Sequence, residues 1–348
     1  MAFPNFSTGD ILYVTGEAEN LYGNDADKVM PHTKLVTRIW ITGYILVEAG
    51  LNLISTKSQL SPYSPPIRYL SSELSKFGKV SQDNRQGISL VSVKREARNI
   101  STFTFELHEN ASVKIFPGQH AILDFSTENV KEYRHMADDN PQSLNDDYIR
   151  SWTISSIPEI SSNGEYLPTT KFSCTIKNKY GGAISPLLHR WAKGRHQEKL
   201  VIKFIGVEGA FSCFDERYQL KYNNLLFIAG GVGITPFLSM VKVLRQREMM
   251  ADVVFLFSAR GEEVNLSKGF QEAGIKAVVF DTETVDRAGS EIKTINRRIR
   301  YEDIAQIPHL KERGVYLCGP EGFMAVVREY LENAGVQSAN VNVESFAF

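Results

Sequence analysis

Apolar positions change rhythm along this chain of 348 residues. Between about 87 and 215 they alternate with polar ones at a spacing of two. Segments 88–93, 102–107, 120–125, 151–155, 172–177 and 200–204 each read as a strand with one face inward and one outward. Residues 185–193 read as a short helix. Many short strands with a single helix predict a small antiparallel barrel. From about 225 the strands become continuous apolar runs, at 225–229, 253–257, 277–280, 315–317 and 341–343. Helical patterns at 236–245, 301–306 and 322–334 separate them. That alternation predicts a parallel sheet with crossover helices, a nucleotide-binding half-fold.

Residues 1–57 stand apart. Segment 9–19 alternates like a strand, and 36–47 is rich in β-branched and aromatic residues, which predicts one or two more. Residues 58–86 read as a linker punctuated by Pro62, Pro65 and Pro66. Segment 127–149 is polar, carries Asp138, Asp139, Asp146 and Asp147, and reads as a long loop of the functional kind. The expected organisation is a β extension (1–57), the linker, a barrel (87–215) and an α/β domain (225–348).

Composition narrows the function. Apolar residues make up 43%, enough for packed cores, and the formal net charge is −1 with no long basic run, which argues against a nucleic-acid surface. The three cysteines, Cys174, Cys213 and Cys318, are too dispersed for a metal or iron–sulfur set, so no metal site is expected. No apolar run reaches the ~18–20 residues of a membrane helix. The N-terminus lacks the order of a secretion signal. These features lead to the expectation of a cytoplasmic protein with reduced thiols.

Four short segments carry candidate chemistry. Gly230, Gly231 and Gly233 follow an apolar strand, and Thr235 and Pro236 open a helix. Glycine there admits a pyrophosphate, whose charge suits the helix N-terminus; read alone, it is an ordinary strand–helix turn. Ser258 and Arg260 end the next strand, where an adenine ribose would lie, and Arg260 would fork onto a 2′-phosphate. Arg297, Arg298 and Arg300 are further cations that would help. Cys318 and Gly319, with Pro320, end a later strand, where a small polarizable thiol would lie against a nicotinamide or simply fill a core. Arg150 would pair with a flavin pyrophosphate, Trp152 offers a flat face to the ring, and Thr153 a hydrogen bond to its N5; read alone, the segment is an ordinary amphipathic strand. Gly182 and Ser185, ahead of a helix, would supply groups to the same pyrophosphate, or cap the helix.

The ordered set Arg150-Ser151-Trp152-Thr153, Gly181-Gly182-Ala183-Ile184-Ser185, 230–236 and Cys318-Gly319-Pro320 resembles the ferredoxin–NADP reductase-like superfamily over about residues 87–348. Trp152 departs from the family's common tyrosine. The resemblance implies a flavin-binding antiparallel β-barrel followed by an α/β nucleotide-binding domain with a parallel sheet. It implies FAD and NADPH, with NADH open, and an FAD-dependent NAD(P)H oxidoreductase that moves hydride to flavin N5 with Thr153 and Cys318 at the reacting atoms. The chain's end, Glu344-Ser345-Phe346, resembles the family's closing Glu-x-Phe, so Phe346, or else Phe348, would cover the flavin. Residues 1–57 resemble a truncated flavin split barrel of the pyridoxamine-phosphate-oxidase type, as in fungal fusions, and would bind no second flavin. The implied acceptor is a redox partner protein or a small organic molecule. The unfinished strand edges of 9–54 invite a second copy of the chain. The alternative is the same fold used as a binding scaffold or for a non-redox rearrangement.

Overall fold

The structure, a computed structural model, describes strand segments at 11–15, 39–40 and 52–54 and residues 86–109, 111–125, 148–157, 159–161, 165–179, 182, 184–194, 200, 202–283 and 294–345. The chain divides into two compact units. One comprises Met1–Arg68, Val130–Asp147 and Phe348; the other comprises Tyr69–Asn129 and Tyr148–Ala347. In the first unit, β1 (Ile11–Thr15) pairs antiparallel with both β2 (Ile39–Trp40) and β3 (Asn52–Ile54). The expected loop 127–149 lies outside the described residues up to 147, as does the linker up to 85.

The second unit begins with six antiparallel strands: β4 (Gln86–Ala97), β5 (Ile100–Leu107), β6 (His120–Asp124), β7 (Ile149–Thr153), β8 (Lys171–Lys177) and β9 (Ile202–Glu208). They lie in the order β7-β6-β9-β4-β5-β8. The two edges meet where Ile154 bridges Cys174, so the sheet closes into a barrel. Period-two alternation explains it: Ile100, Phe103, Phe105 and Leu107 of β5 are buried while Thr102, Thr104 and Glu106 are not. The last strand runs four residues further than expected, because Gly206 and Val207 continue the buried pattern. Helix α1 (Ile184–Lys193) plugs the barrel with Ile184 and Leu188. It starts one residue before Ser185, which therefore stands inside the first turn and is not the cap residue.

The remainder is a six-stranded parallel sheet. In chain order it contains β10 (Asn224–Gly230), α2 (Thr235–Gln246), β11 (Asp252–Ala259), α3 (Lys268–Glu272), β12 (Lys276–Asp281), β13 (Thr294–Ile295), α4 (Tyr301–Ala305), β14 (Gly314–Gly319), α5 (Glu321–Asn333) and β15 (Val341–Ser345). The strand order is β13-β12-β11-β10-β14-β15. The chain moves outward from β10 on one side, then returns to β14 on the other. That reversal makes a crevice beyond the carboxyl ends of β10 and β14. Both strands are almost wholly buried, as continuous apolar runs in a sheet covered on two faces should be.

Barrel and sheet share one core. Ala97, Ile100, Phe116 and Phe211 of the barrel side belong to the same buried cluster as Phe227, Phe237 and Phe255. Polar contacts cross the same boundary. Gly118 N–H donates to Ser239 Oγ at 3.0 Å, and Lys242 Nζ donates to the Ser155 carbonyl at 2.7 Å. The guanidinium of Arg247 lies 4.8 and 4.9 Å from the ring centres of Tyr166 and Tyr218. These contacts tie the barrel side to α2 and to Arg247, which caps its end.

Candidate functional site

The floor of the crevice is built from glycine. After β10 the chain makes one 3-10 turn, Gly231–Ile234, before α2 begins at Thr235, with Pro236 in its first turn. Gly231 has φ +55, a left-handed conformation that favours glycine. Gly230 and Gly319 face each other across β10 and β14: a Cβ on Gly319 would stand 3.1 Å from Gly230 Cα, and one on Gly230 would meet the Phe323 ring at 2.8 Å. Gly233 packs directly on the Cys318 carbonyl. Side chains at these positions would fill the space or push the strands apart. The turn and the helix start bring backbone amides together, an arrangement that suits an anion.

One line of side chains joins the barrel to this crevice. Thr153 ends β7 opposite His120 of β6. His120 Nδ1 lies 3.9 Å from Glu344 Oε1, and Glu344 of β15 pairs with Cys318 of β14. All four are largely buried. Among the described residues, Thr153 Oγ1 and Glu344 Oε2 are buried with no hydrogen-bond partner, as is Nε2 of Gln119, which precedes His120. Burial pushes the Glu344 carboxyl up to about 8 and holds the His120 imidazole down to about 4, so both are neutral near pH 7. The 3.9 Å gap is too long for a hydrogen bond that would draw the proton across. Burial, then the neighbouring Glu344, push the Cys318 thiol well above its ordinary range. The result is a set of uncharged proton carriers with unmet hydrogen bonds, which suits an aromatic heterocycle with ring nitrogens and carbonyls.

The other expected flavin residues take mixed positions. Trp152 lies partly buried, its ring edge-on to Phe125 at 5.6 Å. Arg150 donates through Nη1 to the Ile149 carbonyl at 2.9 Å. Ser185 Oγ accepts the Lys179 N–H at 3.0 Å, and Gly182 N–H donates to the Lys179 carbonyl, so both tie down the loop before α1. Phe346 and Phe348 lie outside the described residues.

At the second strand, Ser258 pairs with Gly230 across β10–β11, and Arg260 is exposed just beyond it. Arg297 is already engaged: it makes a forked pair with Asp303 at 2.6 and 2.7 Å and lies over the Phe280 ring. It braces the start of α4, where the exposed Arg300 is the N-cap residue and donates its backbone N–H to Asp303 Oδ2 at 2.8 Å; Arg298 is exposed as well. Reading by motif missed three residues here. Lys177 Nζ and Glu263 Oε1 meet at 2.7 Å between barrel and sheet, and His120 follows the Pro117-Gly118-Gln119 turn unremarked. Only the position of Lys177 at a strand end hinted at a role. Among the described residues no group of three or more His, Cys, Asp or Glu side chains is placed to hold a metal, and no helix is long and apolar enough to cross a membrane.

Comparison with known proteins gives this geometry its relatives. Residues 227–329 match the family model of the oxidoreductase NAD-binding domain. The chain is 26% identical over 271 residues to the glycine betaine monooxygenase reductase subunit of Pseudomonas aeruginosa, covering 76% of this chain and 65% of that protein. It is 29% identical over 258 residues to a stachydrine N-demethylase reductase subunit of Rhizobium meliloti, covering 72% and 64%. The chain thus spans just under two thirds of the length of these relatives. Its fold matches the flavohem-like FAD/NAD-binding domain of Vibrio cholerae nitric oxide dioxygenase with a TM-score of 0.54, at 18% identity, over 75% of this chain and 98% of that one. A flavohemoglobin of Malassezia yamatoensis with bound FAD and heme gives a TM-score of 0.53 at 20% identity, over 76% and 60%. With a barrel and a parallel sheet in this order and a matched NAD-binding domain at 227–329, the chain has the two-domain fold of these FAD/NAD-binding proteins, the fold that its resemblance to the ferredoxin–NADP reductase-like superfamily implies.

Proposed function

We propose that the chain is an FAD-dependent NAD(P)H oxidoreductase, with residues 87–215 as the flavin domain and 225–348 as the nucleotide domain. The observation that carries the reading is the line Thr153–His120–Glu344–Cys318, which runs from the barrel to the carboxyl ends of the parallel sheet. FAD held there would supply the acceptor chemistry, hydride uptake from nicotinamide and release of electrons singly or in pairs. The protein's part is position and electrostatics. The unmet hydroxyl of Thr153 orients the ring by hydrogen bond. Glu344, neutral at pH 7, is a proton donor beside the crevice, and His120 is its neutral neighbour. The small neutral Cys318 leaves room for a flat ligand without repelling it. Arg150, Gly182 and Ser185 are assigned to the flavin pyrophosphate, Trp152 to the ring, and the 230–236 turn to the nucleotide pyrophosphate. Phe346 or Phe348 is assigned to the flavin face.

The relatives named reductase subunits point to a protein as the onward acceptor, and a small organic acceptor is the second possibility. Residues 1–57 are assigned to packing, or to pairing with a second copy, without a flavin. A purified, yellow protein that bleaches on anaerobic addition of NADPH or NADH is the expected result. A colourless protein, or a flavin that neither nucleotide reduces, defeats the reading.

A further inference from the structure

A carboxylate stands beside the glycine turn that follows β10. Glu263 sits in the 3-10 turn Gly261–Ser267 that follows β11, and its side chain is 7% exposed. Its Oε1 holds Lys177, the last residue of β8, at 2.7 Å. Its Oε2 accepts the Arg260 backbone N–H at 3.2 Å. That oxygen also lies 3.7 Å from the point where a side chain on Gly231 would begin, and among the described residues no other atom beyond the turn's own chain neighbours comes within 4 Å of that point. Gly231 therefore turns its open face toward a fixed negative charge. Amide-rich turns at helix starts attract anions, and a carboxylate already there repels the next one.

We propose that Glu263 sets the affinity for the dinucleotide: it stands in for a phosphate in the ligand-free crevice, and nucleotide binding draws Lys177 away from it. This rests on the nucleotide-binding reading above. The two partners differ in freedom. Glu263 is buried and pinned by the Arg260 amide. Lys177 is 36% exposed on a long flexible stem, so its ammonium can swing while the carboxylate stays. Binding therefore proceeds against a residual carboxylate that has lost its counter-ion. A neutral residue at 263 would free Lys177 and remove the repulsion together.

Titration calorimetry on the full chain with ADP-ribose and with NADH tests this without turnover. Glu263→Gln keeps an acceptor for the Arg260 amide. It should bind both ligands about tenfold tighter than wild type. Lys177→Gln should bind about tenfold weaker, and the double variant should return close to wild type, because the two opposed tenfold effects cancel. Glu263→Asp, with the carboxylate withdrawn from Gly231, should fall between wild type and Glu263→Gln, and it decides the matter if the glutamine variant fails to fold by circular dichroism. Unchanged or weaker binding in the folded Glu263 variants overturns the proposal and marks the pair as a plain strut. A wild-type protein that binds neither ligand defeats the nucleotide reading itself, and this proposal with it.

Discussion

At the scale of single residues, the site is a set of polar atoms whose hydrogen bonds are incomplete. Thr153 Oγ1 is the clearest, buried and without a partner. An unmet buried hydroxyl costs on the order of 1–3 kcal/mol. Thr153→Val should therefore stabilise the flavin-free protein by about 1 kcal/mol in denaturant unfolding, while slowing flavin reduction by NADPH in stopped flow. A loss of stability would assign the hydroxyl a structural partner instead. Glu344 gives a pH signature. Its folded carboxyl is raised to about 8, so in the range from the ordinary carboxylate value up to 8 the folded state holds a proton that the unfolded chain has lost, and stability falls as pH rises. His120, lowered to about 4, works in the opposite sense up to its ordinary value of 6.5, so the two slopes offset each other below that point. From pH 6.5 to 8 the Glu344 slope stands alone. Wild type should lose at most about 2 kcal/mol across that window, and Glu344→Gln should flatten the loss. An unchanged slope in the variant would place the titration elsewhere.

At the scale of elements, one buried cation fixes where the central strands begin. Arg313, 1% exposed, enters β14 with its guanidinium spread over the chain. It donates to the carbonyls of Pro308, Leu225 and Asp252 and pairs with the Asp252 carboxylate, so it joins the amino ends of β10, β11 and β14. Arg313→Met would leave three carbonyls short of a donor. The Asp252 side chain is 41% exposed and can turn to water, which lowers the cost. A destabilisation of about 3 kcal/mol in chemical denaturation is expected; less than about 1 kcal/mol would mean that water replaces the arginine. Sequence alone did not reveal this residue, since nothing local distinguishes it from a surface arginine such as Arg298. The strands were legible because burial writes itself as alternation in β5 and as continuous runs in β10 and β14. The turn Gly261–Ser267 and α3 were not, because Gly261, Glu262 and Glu263 look like solvated loop until Lys177 arrives from the barrel. The glycine turn at 230–236 and the Cys318 strand end were legible, for glycine has few reasons to follow a buried strand. The meeting of His120 with Glu344 was not, since 224 positions separate residues that only the packing of barrel on sheet brings together.

At the scale of the whole second unit, the joint between barrel and sheet decides how the protein comes apart. The joint is not a thin polar seam. Ala97, Ile100 and Phe116 are buried in the same cluster as Phe227 and Phe237, and Lys242, whose amine burial holds below its ordinary range, is committed to the Ser155 carbonyl. Opening that boundary would expose apolar surface on both sides and leave a buried carbonyl without its charged donor, a penalty comparable with the stability of a small domain. Neither half should then persist alone, and the flavin assigned to the barrel should leave only when the sheet melts. Heating is expected to show one transition, with the rise of free-flavin fluorescence coinciding with the loss of helical circular dichroism from α2 and α5. Lys242→Met keeps the apolar stem and removes the donated bond. It should lower the midpoint by several degrees yet keep the two signals together, because the apolar cluster remains. Flavin release well below the helical transition in wild type would show that the barrel opens by itself, and that the shared cluster contributes less than its burial implies.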